Sequence, residues 1–280
     1  MVKILITGKN SYVGISLAKW LGNYPSSYSV YMLSLRDESW EKKDFSDYDV
    51  VVHVAGIAHI KESKHIAEMY YKVNRDLAFE TAKKAKKDGV KQFIFLSSMS
   101  VYGIESGEIN KTSLEIPKTN YGKSKLEAEE LINTLSDCAF KVAILRPPMV
   151  YGKGCKGNYP RLAKMALNIP VFPNIQNRRS MIYAENLCEF IKLLIDKCDS
   201  GLFFPQNKEY VCSSEMIKLI TEAHGTRIYM TKIFNPLLKK MKNNTINKVF
   251  GDLIYDKQMS EYQENYCLYD FRESVFKTEV

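Results

Sequence analysis

The N-terminal segment combines a short apolar run, a glycine-containing loop and a helical pattern in a fixed order. The run Val2–Ile6 predicts a buried parallel strand, the loop Thr7–Gly14 follows it, and the apolar residues after the loop have helical spacing. In this order, backbone N–H groups and a helix N-terminus can face the pyrophosphate of a dinucleotide. The segment therefore favours an α/β fold with a parallel sheet.

Strands and helices alternate along the first 150 or so residues. The predicted strands are Val2–Ile6, Val30–Leu35, Asp49–Val54, Phe93–Ser97 and Lys141–Leu145. The predicted helices are Gly14–Leu21, His65–Asp88, Asn120–Leu135 and Tyr159–Leu167. Such alternation is typical of a doubly wound parallel sheet that is covered by helices on both faces.

A tyrosine and a lysine four residues apart follow a serine pair that ends an apolar strand. Ser97 and Ser98 close the strand Gln92–Leu96, and Tyr121 and Lys125 lie in the next predicted helix. On a helix, this spacing places the phenol and the ammonium on one face. A nearby cation favours the phenolate and so lowers a tyrosine pKa from about 10. These residues are suited to moving a proton on and off a sugar or alcohol oxygen.

Several short motifs, in a fixed order, resemble the extended short-chain dehydrogenase/reductases, specifically the NAD-dependent epimerase/dehydratase family of nucleotide-sugar enzymes. They are Thr7-Gly8 with Gly14, His53-Val54-Ala55-Gly56, Asn74, Ser98 with Val101-Tyr102-Gly103, Tyr121 with Lys125, Arg146-Pro147-Pro148 with Tyr151-Gly152, and Arg179 before Tyr183-Ala184-Glu185-Asn186. The resemblance implies a Rossmann-type cofactor domain over 1–155. It also implies a smaller C-terminal lobe over 156–280 that binds mainly substrate, with some segments returning to the sheet.

The resemblance implies a binding site for NAD or NADP. Its implied residues are Gly8, Ser11, Tyr12, Val13, Gly14, Arg36, Asp44, Phe45, Val54, Ala55, Gly56, Tyr121, Lys125 and Pro148. Ser11 stands where the middle glycine of the family fingerprint would be. Ser34 stands near the usual ribose-binding carboxylate, and Arg36 follows it, which can pair with a 2′-phosphate. The choice between NAD and NADP therefore stays open.

The resemblance also implies the catalytic roles. Ser98 hydrogen-bonds the reacting sugar oxygen, Tyr121 transfers the proton, and Lys125 holds the cofactor ribose and lowers the tyrosine pKa. His53 is expected to be a structural hydrogen-bonding residue. The implied substrate-binding residues are His59, Ser98, Met149, Asn158, Phe172 and Arg179. Since Met149 replaces an asparagine of many members, the identity of the substrate cannot be copied from them.

The reaction type has two main candidates. Family 4,6-dehydratases carry an Asp-Glu pair after the active-site Ser or Thr, whereas Met99 and Ser100 follow Ser98, so dehydration is not expected. The resemblance implies an epimerase that acts at C4 of a UDP-hexose or UDP-N-acetylhexosamine by transient hydride transfer. The alternative is an NAD(P)H-dependent reductase of a nucleotide-linked 4-keto-6-deoxy sugar, favoured by Arg36 and by the segment His53–His59, which is similar to that of reductase members.

A third hypothesis is a catalytically silent dinucleotide-binding sensor or scaffold. Relatives of that kind usually lack the catalytic Tyr or Lys, but both are present here. Relatives also commonly pair through two helices of each subunit, so a homodimer is a further expectation. The nucleotide, the sugar and the pathway are left open by the sequence.

Composition agrees with an enzyme that binds small anionic ligands. At 280 residues and 45% hydrophobic composition, the chain can bury a substantial core. The six cysteines form no Cys-x-x-Cys pair or Cys/His cluster, so no metal site is predicted. The net charge of +8 is spread along the chain, which suits a nucleotide sugar better than nucleic acid. No apolar stretch approaches the roughly 18 residues of a membrane span, and a cytoplasmic location is expected.

Overall fold

A computed structural model of the protein describes residues 1–58, 64–233, 235–236 and 249–280. Within them, the largest sheet has six strands. These are β1 Val2–Thr7, β2 Tyr28–Leu33, β3 Val50–His53, β4 Gln92–Leu96, β6 Lys141–Leu145 and β10 Gly201–Phe203. The strands are parallel and lie in the order β10-β6-β4-β3-β1-β2. Their carboxyl ends share one edge, so the loops after β1, β3 and β4 meet there.

The described residues also form helices along the whole chain. They are α1 Tyr12–Leu21, α2 Ser39–Lys42, α3 Lys64–Tyr70, α4 Leu77–Lys87, α5 Asn120–Asn133, α6 Asn158–Asn168, α7 Ala184–Lys197, α8 Ser213–Ala223 and a last helix Phe271–Glu279. A π-helical stretch, Tyr71–Asp76, joins α3 to α4, and 3₁₀ turns lie at Met99–Tyr102 and Lys257–Ser260. Small side chains let α4 and α5 pack closely against the sheet, since Ala78, Ala82 and Ala128 are fully buried in the core beside Phe93.

The chain forms two compact units. The first comprises Met1–Gly103, Leu114–Pro147 and Leu187–Pro205, and the second comprises Ile104–Ser113, Pro148–Asn186 and Gln206–Val280. The first unit contains the six-stranded sheet. The second contains three two-stranded parallel sheets, which pair β5 Gly107–Ile109 with β12 Leu253–Tyr255, β7 Met149–Tyr151 with β9 Met181–Tyr183, and β8 Val171–Pro173 with β11 Tyr229–Thr231.

The predicted fold class is confirmed. Each predicted strand is present, although β2 begins at Tyr28 rather than Val30. The helix expected over His65–Asp88 is interrupted by the π-helical stretch. The later elements α7, α8 and the last helix were not predicted, although none of them contains a proline.

Candidate active site

The serine after β4 and the first turn of α5 lie side by side. Thr119 caps α5, with its Oγ1 accepting a hydrogen bond from the N–H of Gly122 at 3.1 Å. A Cβ built on Gly122 would lie only 2.6 Å from the carbonyl oxygen of Ser100, so a glycine is needed for this close approach. In this arrangement, a hydrogen bond from Ser98 acts to lower the pKa of the Tyr121 phenol, and Ser98 Oγ also lies 3.1 Å from Oγ of Ser100. The structure thus brings together two of the predicted catalytic residues.

The phenol of Tyr121 lies in a poorly solvated environment. Burial raises the pKa of Tyr121, the hydrogen bond from Ser98 lowers it, and the nearby phenol of Tyr70 raises it. The ring of Tyr70 meets that of Tyr121 edge-on, with 5.9 Å between ring centroids. The pKa of Tyr121 is raised, so the lowering that was expected from Lys125 is not found.

The ammonium of Lys125 is held inside the first unit. The side chain is buried, with 5% of the residue exposed. Its Nζ donates a hydrogen bond to the carbonyl oxygen of Leu96 at 2.8 Å and lies 4.6 Å from the ring centroid of Phe95. The pKa of Lys125 is lowered to about 8, because burial lowers it by more than the charge of Glu129 raises it. The lysine is therefore close to its titration range at neutral pH.

The glycine loop after β1 packs directly against the chain after β3. Gly8 has a φ of +86°, and a Cβ built on it would lie 2.8 Å from the backbone nitrogen of Ala55. A Cβ on Gly14 would lie 3.0 Å from a methyl carbon of Val54. These contacts require side-chain-free positions and bring the N-terminus of α1 to the same backbone surface. The arrangement fits the phosphates of a dinucleotide, which helix N-termini and close backbone bind well.

Ser11 occupies the N-cap of α1. Its Oγ accepts a hydrogen bond from the N–H of Gly14 at 3.0 Å, and its own N–H donates to the carbonyl of Gly8 at 2.7 Å. A serine at this position therefore uses one N–H of the helix terminus for capping. The neighbouring predicted cofactor residues Tyr12 and Val13 form the first turn of α1 and are half-buried.

The residues predicted near the adenosine of the cofactor differ in exposure. Arg36 and Asp44 are exposed. The carboxylate of Asp44 accepts two hydrogen bonds from Ser46, which lower the pKa of Asp44. Phe45 is fully buried in the core, and its N–H donates to Asp88 at 3.0 Å. The Phe45 ring is a core side chain and Asp44 is the accessible member of the pair, and the cofactor roles of both residues stay predictions.

His53, at the end of β3, has the predicted hydrogen-bonding role. Its Nδ1 lies 3.0 Å from Oγ1 of Thr7, and its ring packs against Phe93 and Phe95 with centroids 5.8 and 5.9 Å away. Burial and, to a smaller extent, the charge of Lys125 together lower the pKa of His53 to about 3. The imidazole is thus neutral and ties the ends of β1 and β3 together, below the backbone of Val54 and Ala55.

Asn74, named only as a motif element in the sequence, fixes the loop after β3. Its Oδ1 accepts from the N–H of Ile57 at 2.9 Å, and its Nδ2 donates to the Ile57 carbonyl at 3.0 Å. Nδ2 also lies 3.4 Å from Oγ of Ser124 on α5. A Cβ on Gly56 would lie 3.0 Å from Asn74 Oδ1 and 3.5 Å from Lys125 Nζ. The buried carboxamide therefore positions Gly56 next to the lysine.

A buried ion pair behind Lys125 was missed by the sequence reasoning. Glu129 and Arg146 are each 4% exposed. The guanidinium donates to both carboxylate oxygens of Glu129, with Nε–Oε1 and Nη2–Oε2 distances of 3.1 and 2.6 Å. Burial raises the pKa of Glu129, and the hydrogen bonds and charge of Arg146 oppose this rise. The available signal was the spacing of Glu129, one helical turn after Lys125.

The predicted substrate residues other than Ser98 and His59 belong to the second unit. Met149 lies at the start of β7 and Asn158 at the start of α6. Arg179 is half-buried, and its Nη1 donates to the carbonyl of Gly251 at 2.9 Å. The ring of Phe172 is buried against Phe250, with centroids 5.6 Å apart, and its substrate role stays a prediction.

Two further predicted residues complete the set. Pro148 is buried next to Met149 in the second unit. His59 lies outside the described residues. The substrate roles of Met149, Asn158 and Arg179, and the cofactor role of Pro148, stay predictions.

Comparison with known proteins agrees with this geometry. Residues 4–212 match the NAD dependent epimerase/dehydratase family. The chain belongs to this family. As a family member, it is 30% identical to the UDP-glucose 4-epimerase of Vibrio cholerae, over 90% of this chain and 87% of that protein. The stretch that matches the family contains the glycine loop, Ser98, Tyr121 and Lys125.

Solved structures of the epimerase/dehydratase class share the fold of this family member. A UDP-glucuronic acid 4-epimerase from Bacillus cereus, in complex with NAD, has a TM-score of 0.77 at 19% identity and covers 99% of this chain and 96% of its own. A dTDP-4-dehydrorhamnose reductase from Bacillus anthracis, in complex with NADP, has a TM-score of 0.74 at 16% identity, with coverages of 99% and 98%. At these identities, the likeness concerns the fold.

Within residues 1–58, 64–233, 235–236 and 249–280, no helix is both long and apolar enough to span a bilayer. In the same residues, no three His, Cys, Asp or Glu side chains are grouped in a way that could hold a metal ion.

Proposed function

We propose that the protein is an epimerase that inverts C4 of a UDP-hexose or UDP-N-acetylhexosamine. The observation that carries the proposal is the hydrogen bond between Ser98 and Tyr121, with Lys125 one helical turn further along α5. This arrangement supplies a proton acceptor and an orienting hydroxyl. Met99 and Ser100 follow Ser98, so the Asp-Glu pair that would eliminate water is missing from the sequence.

The proposed steps use the side chains as follows. Tyr121 accepts the proton of the C4 hydroxyl as that carbon is oxidised. It returns the proton after the 4-keto sugar has rotated to present its opposite face. The Ser98 hydroxyl hydrogen-bonds the same oxygen and keeps it aligned with the phenol. Such general acid–base catalysis typically contributes 10²–10⁴-fold, roughly, to the rate. When bound, a nicotinamide cofactor supplies the acceptance and return of hydride.

The chain would hold this cofactor mainly through backbone and cationic groups. The loop of Gly8 and the N-terminus of α1 are suited to the pyrophosphate. Lys125 is suited to the ribose nearest the nicotinamide, because its ammonium lies beside Gly56. Since epimerisation returns the hydride to the same substrate, the cofactor is expected to stay bound between turnovers. The 30% identity to a UDP-glucose 4-epimerase supports this choice of reaction.

The test starts with the nucleotide that co-purifies with the protein. We expect mass spectrometry to find NAD, and we expect UDP-glucose or UDP-N-acetylglucosamine to be converted to its C4 epimer without added cofactor. Tyr121→Phe is the matched variant, because it keeps the ring and removes only the hydroxyl. Bound cofactor without conversion of any UDP-hexose or 4-keto sugar would instead support a silent sensor or scaffold.

A reductase of nucleotide-linked 4-keto-6-deoxy sugars is the second candidate. Arg36 is exposed just after β2, where a guanidinium can pair with the 2′-phosphate of NADP. This function predicts a protein that purifies without nucleotide, oxidises NADPH only when a 4-keto sugar is added, and leaves UDP-hexoses unchanged. In that case, Arg36→Glu raises the KM for NADPH far more than that for NADH. A variant with equal effects on both cofactors contradicts the assigned role of Arg36.

A further inference from the structure

A network of buried side chains connects the catalytic lysine to the end of β6. Tyr121, Lys125 and Glu129 are spaced by four residues along α5, so they follow one another on one helix face. The ammonium of Lys125 is bonded to the Leu96 carbonyl at the end of β4. The next residue, Ser97, donates its hydroxyl to Glu129. Strand β4 and helix α5 are therefore joined twice, immediately before Ser98.

Arg146 completes the network from β6. Besides binding Glu129, its Nη1 donates to the phenol oxygen of Tyr102 at 2.8 Å and to Oε1 of Glu115 at 2.7 Å. Tyr102 ends the short turn that begins directly after Ser98. The ion pair thus connects three segments that carry or flank the predicted catalytic residues. A buried pair of this kind adds little net stability, since desolvation offsets the attraction, so a role in the site is worth testing.

We propose that Glu129 is a positioning residue whose carboxylate, held by Arg146, keeps the ammonium of Lys125 charged and in place at working pH. This inference rests on the proposed function in one respect, because the proposed function gives Lys125 its catalytic task. Of the charged and titratable groups near Lys125, Glu129 on α5 acts to raise its pKa, Arg146 after β6 is a cation bound to that carboxylate, and His53 on β3 has a lowered pKa. Burial alone favours the uncharged amine.

Glu129→Gln and Glu115→Gln form a matched pair of variants. Both remove a carboxylate that binds Arg146, but the side chain of Glu115 is 37% exposed and Glu129 is the acid that acts on Lys125. We expect Glu129→Gln to lower the pKa of Lys125 by about 1 unit or more, as loss of a close opposite charge does. Glu115→Gln should leave the pKa of Lys125 unchanged. Glu129→Asp keeps a carboxylate and should leave this pKa close to the wild-type value.

The pKa can be measured in the full chain without substrate. Protein carrying ¹³Cε-lysine is titrated by NMR, and the Lys125 signal is assigned as the one missing from Lys125→Arg. Equal pKa values of Lys125 in wild type and Glu129→Gln would overturn the proposal. Glu129→Gln leaves the buried guanidinium of Arg146 without its main partner. The double variant Glu129→Gln/Arg146→Met removes both charges of the pair and is therefore a second test. The pKa of Lys125 should still fall, but by less than in Glu129→Gln, because the positive charge of Arg146 is removed together with the carboxylate.

Activity provides a separate readout. In the epimerase assay, the alkaline limit of kcat/KM should move to lower pH in Glu129→Gln but not in Glu115→Gln. A merely structural role predicts loss of activity at every pH, with an unmoved limit, and contradicts the proposal. If no sugar is epimerised but the NMR shift is found, the proposed function fails and the role of Glu129 toward Lys125 stands.

Discussion

The ammonium of Lys125 and the carbonyl oxygen of Leu96 are joined by a hydrogen bond of 2.8 Å. The bond fixes a helix residue to the end of the strand that leads into Ser98, so the lysine and the serine keep a constant separation. It also leaves other N–H donors of the ammonium for a ligand, because a lysine has three. A lysine held in this way is suited to the proposed role of orienting a cofactor.

The phenol of Tyr121 is expected to be essential for catalysis but not for folding. Tyr121→Phe should lower kcat by roughly 10²–10⁴-fold while leaving cofactor affinity and melting temperature close to wild type. Tyr70→Phe is the matched control, since it keeps the ring that contacts Tyr121 edge-on. Steady-state assays with a UDP-hexose measure both variants. A similar loss in Tyr70→Phe would show that packing, and not proton transfer by Tyr121, limits the rate.

Replacing the capping serine should improve cofactor binding. Ser11 Oγ occupies the N–H of Gly14 at the helix N-terminus. Ser11→Gly releases that N–H for a pyrophosphate, and glycine is a tolerated N-cap that costs only a few tenths of a kcal/mol, roughly. We expect several-fold tighter binding of NADH by calorimetry. Ser11→Ala, which loses the cap but keeps a Cβ, should be less stable by about 1 kcal/mol. Weaker binding in Ser11→Gly contradicts the assigned loop geometry.

The buried imidazole of His53 should make the protein sensitive to acid. Its folded-state pKa of about 3 lies below the ordinary value of 6.5, so the unfolded chain binds the proton more tightly. Stability therefore rises with pH between these values and is lost as pH falls below about 6.5. The loss is about 1.4 kcal/mol per pH unit in the middle of this range. Relative to His53→Gln, wild type should lose stability at this rate between pH 6 and 4 in urea unfolding. Parallel pH profiles would contradict the assignment.

The carboxamide of Asn74 should contribute strongly to stability. Asn74→Ala removes the bonds to both backbone groups of Ile57 and leaves these groups unsatisfied. Because Ile57 is half-buried, each of these hydrogen bonds contributes about 0.5–1.5 kcal/mol net, so the free energy of unfolding should fall by at least about 1 kcal/mol. Asn133→Ala, at an exposed position of α5, should change it by less than about 0.5 kcal/mol. Equal effects of the two variants in urea unfolding would count against the role of Asn74.

Local patterns predicted the parts of the site that depend on neighbouring residues. The loop from Gly8 to Gly14 and the pair of Tyr121 and Lys125 are contained in single turns or helices, where sequence spacing fixes geometry. The pairing of Glu129 with Arg146 was not predicted, because it joins α5 to the end of β6. In a sequence, charged residues in a helix indicate a solvent-exposed face.

The burial of aromatic side chains was also not predicted from the sequence. Phe45 and Phe172 were assigned to ligands by their place in the family pattern, yet both rings are buried in hydrophobic cores. Sequence cannot distinguish a ring that lines a binding site from one that fills a core, because both environments favour apolar surface. Only the packed neighbours, such as Phe250 beside Phe172, decide between them.

The sequence by itself determined the alternation of strands and helices, the glycine loop and the catalytic spacing, since these depend on periodicity and on backbone conformations open to glycine. The tertiary structure decided which polar groups are buried, and therefore which pKa values depart from their ordinary range. Burial acts on Lys125, His53 and Tyr121 through residues distant in the chain. Desolvation depends on the complete packed surroundings of a group, and no local sequence pattern contains that information.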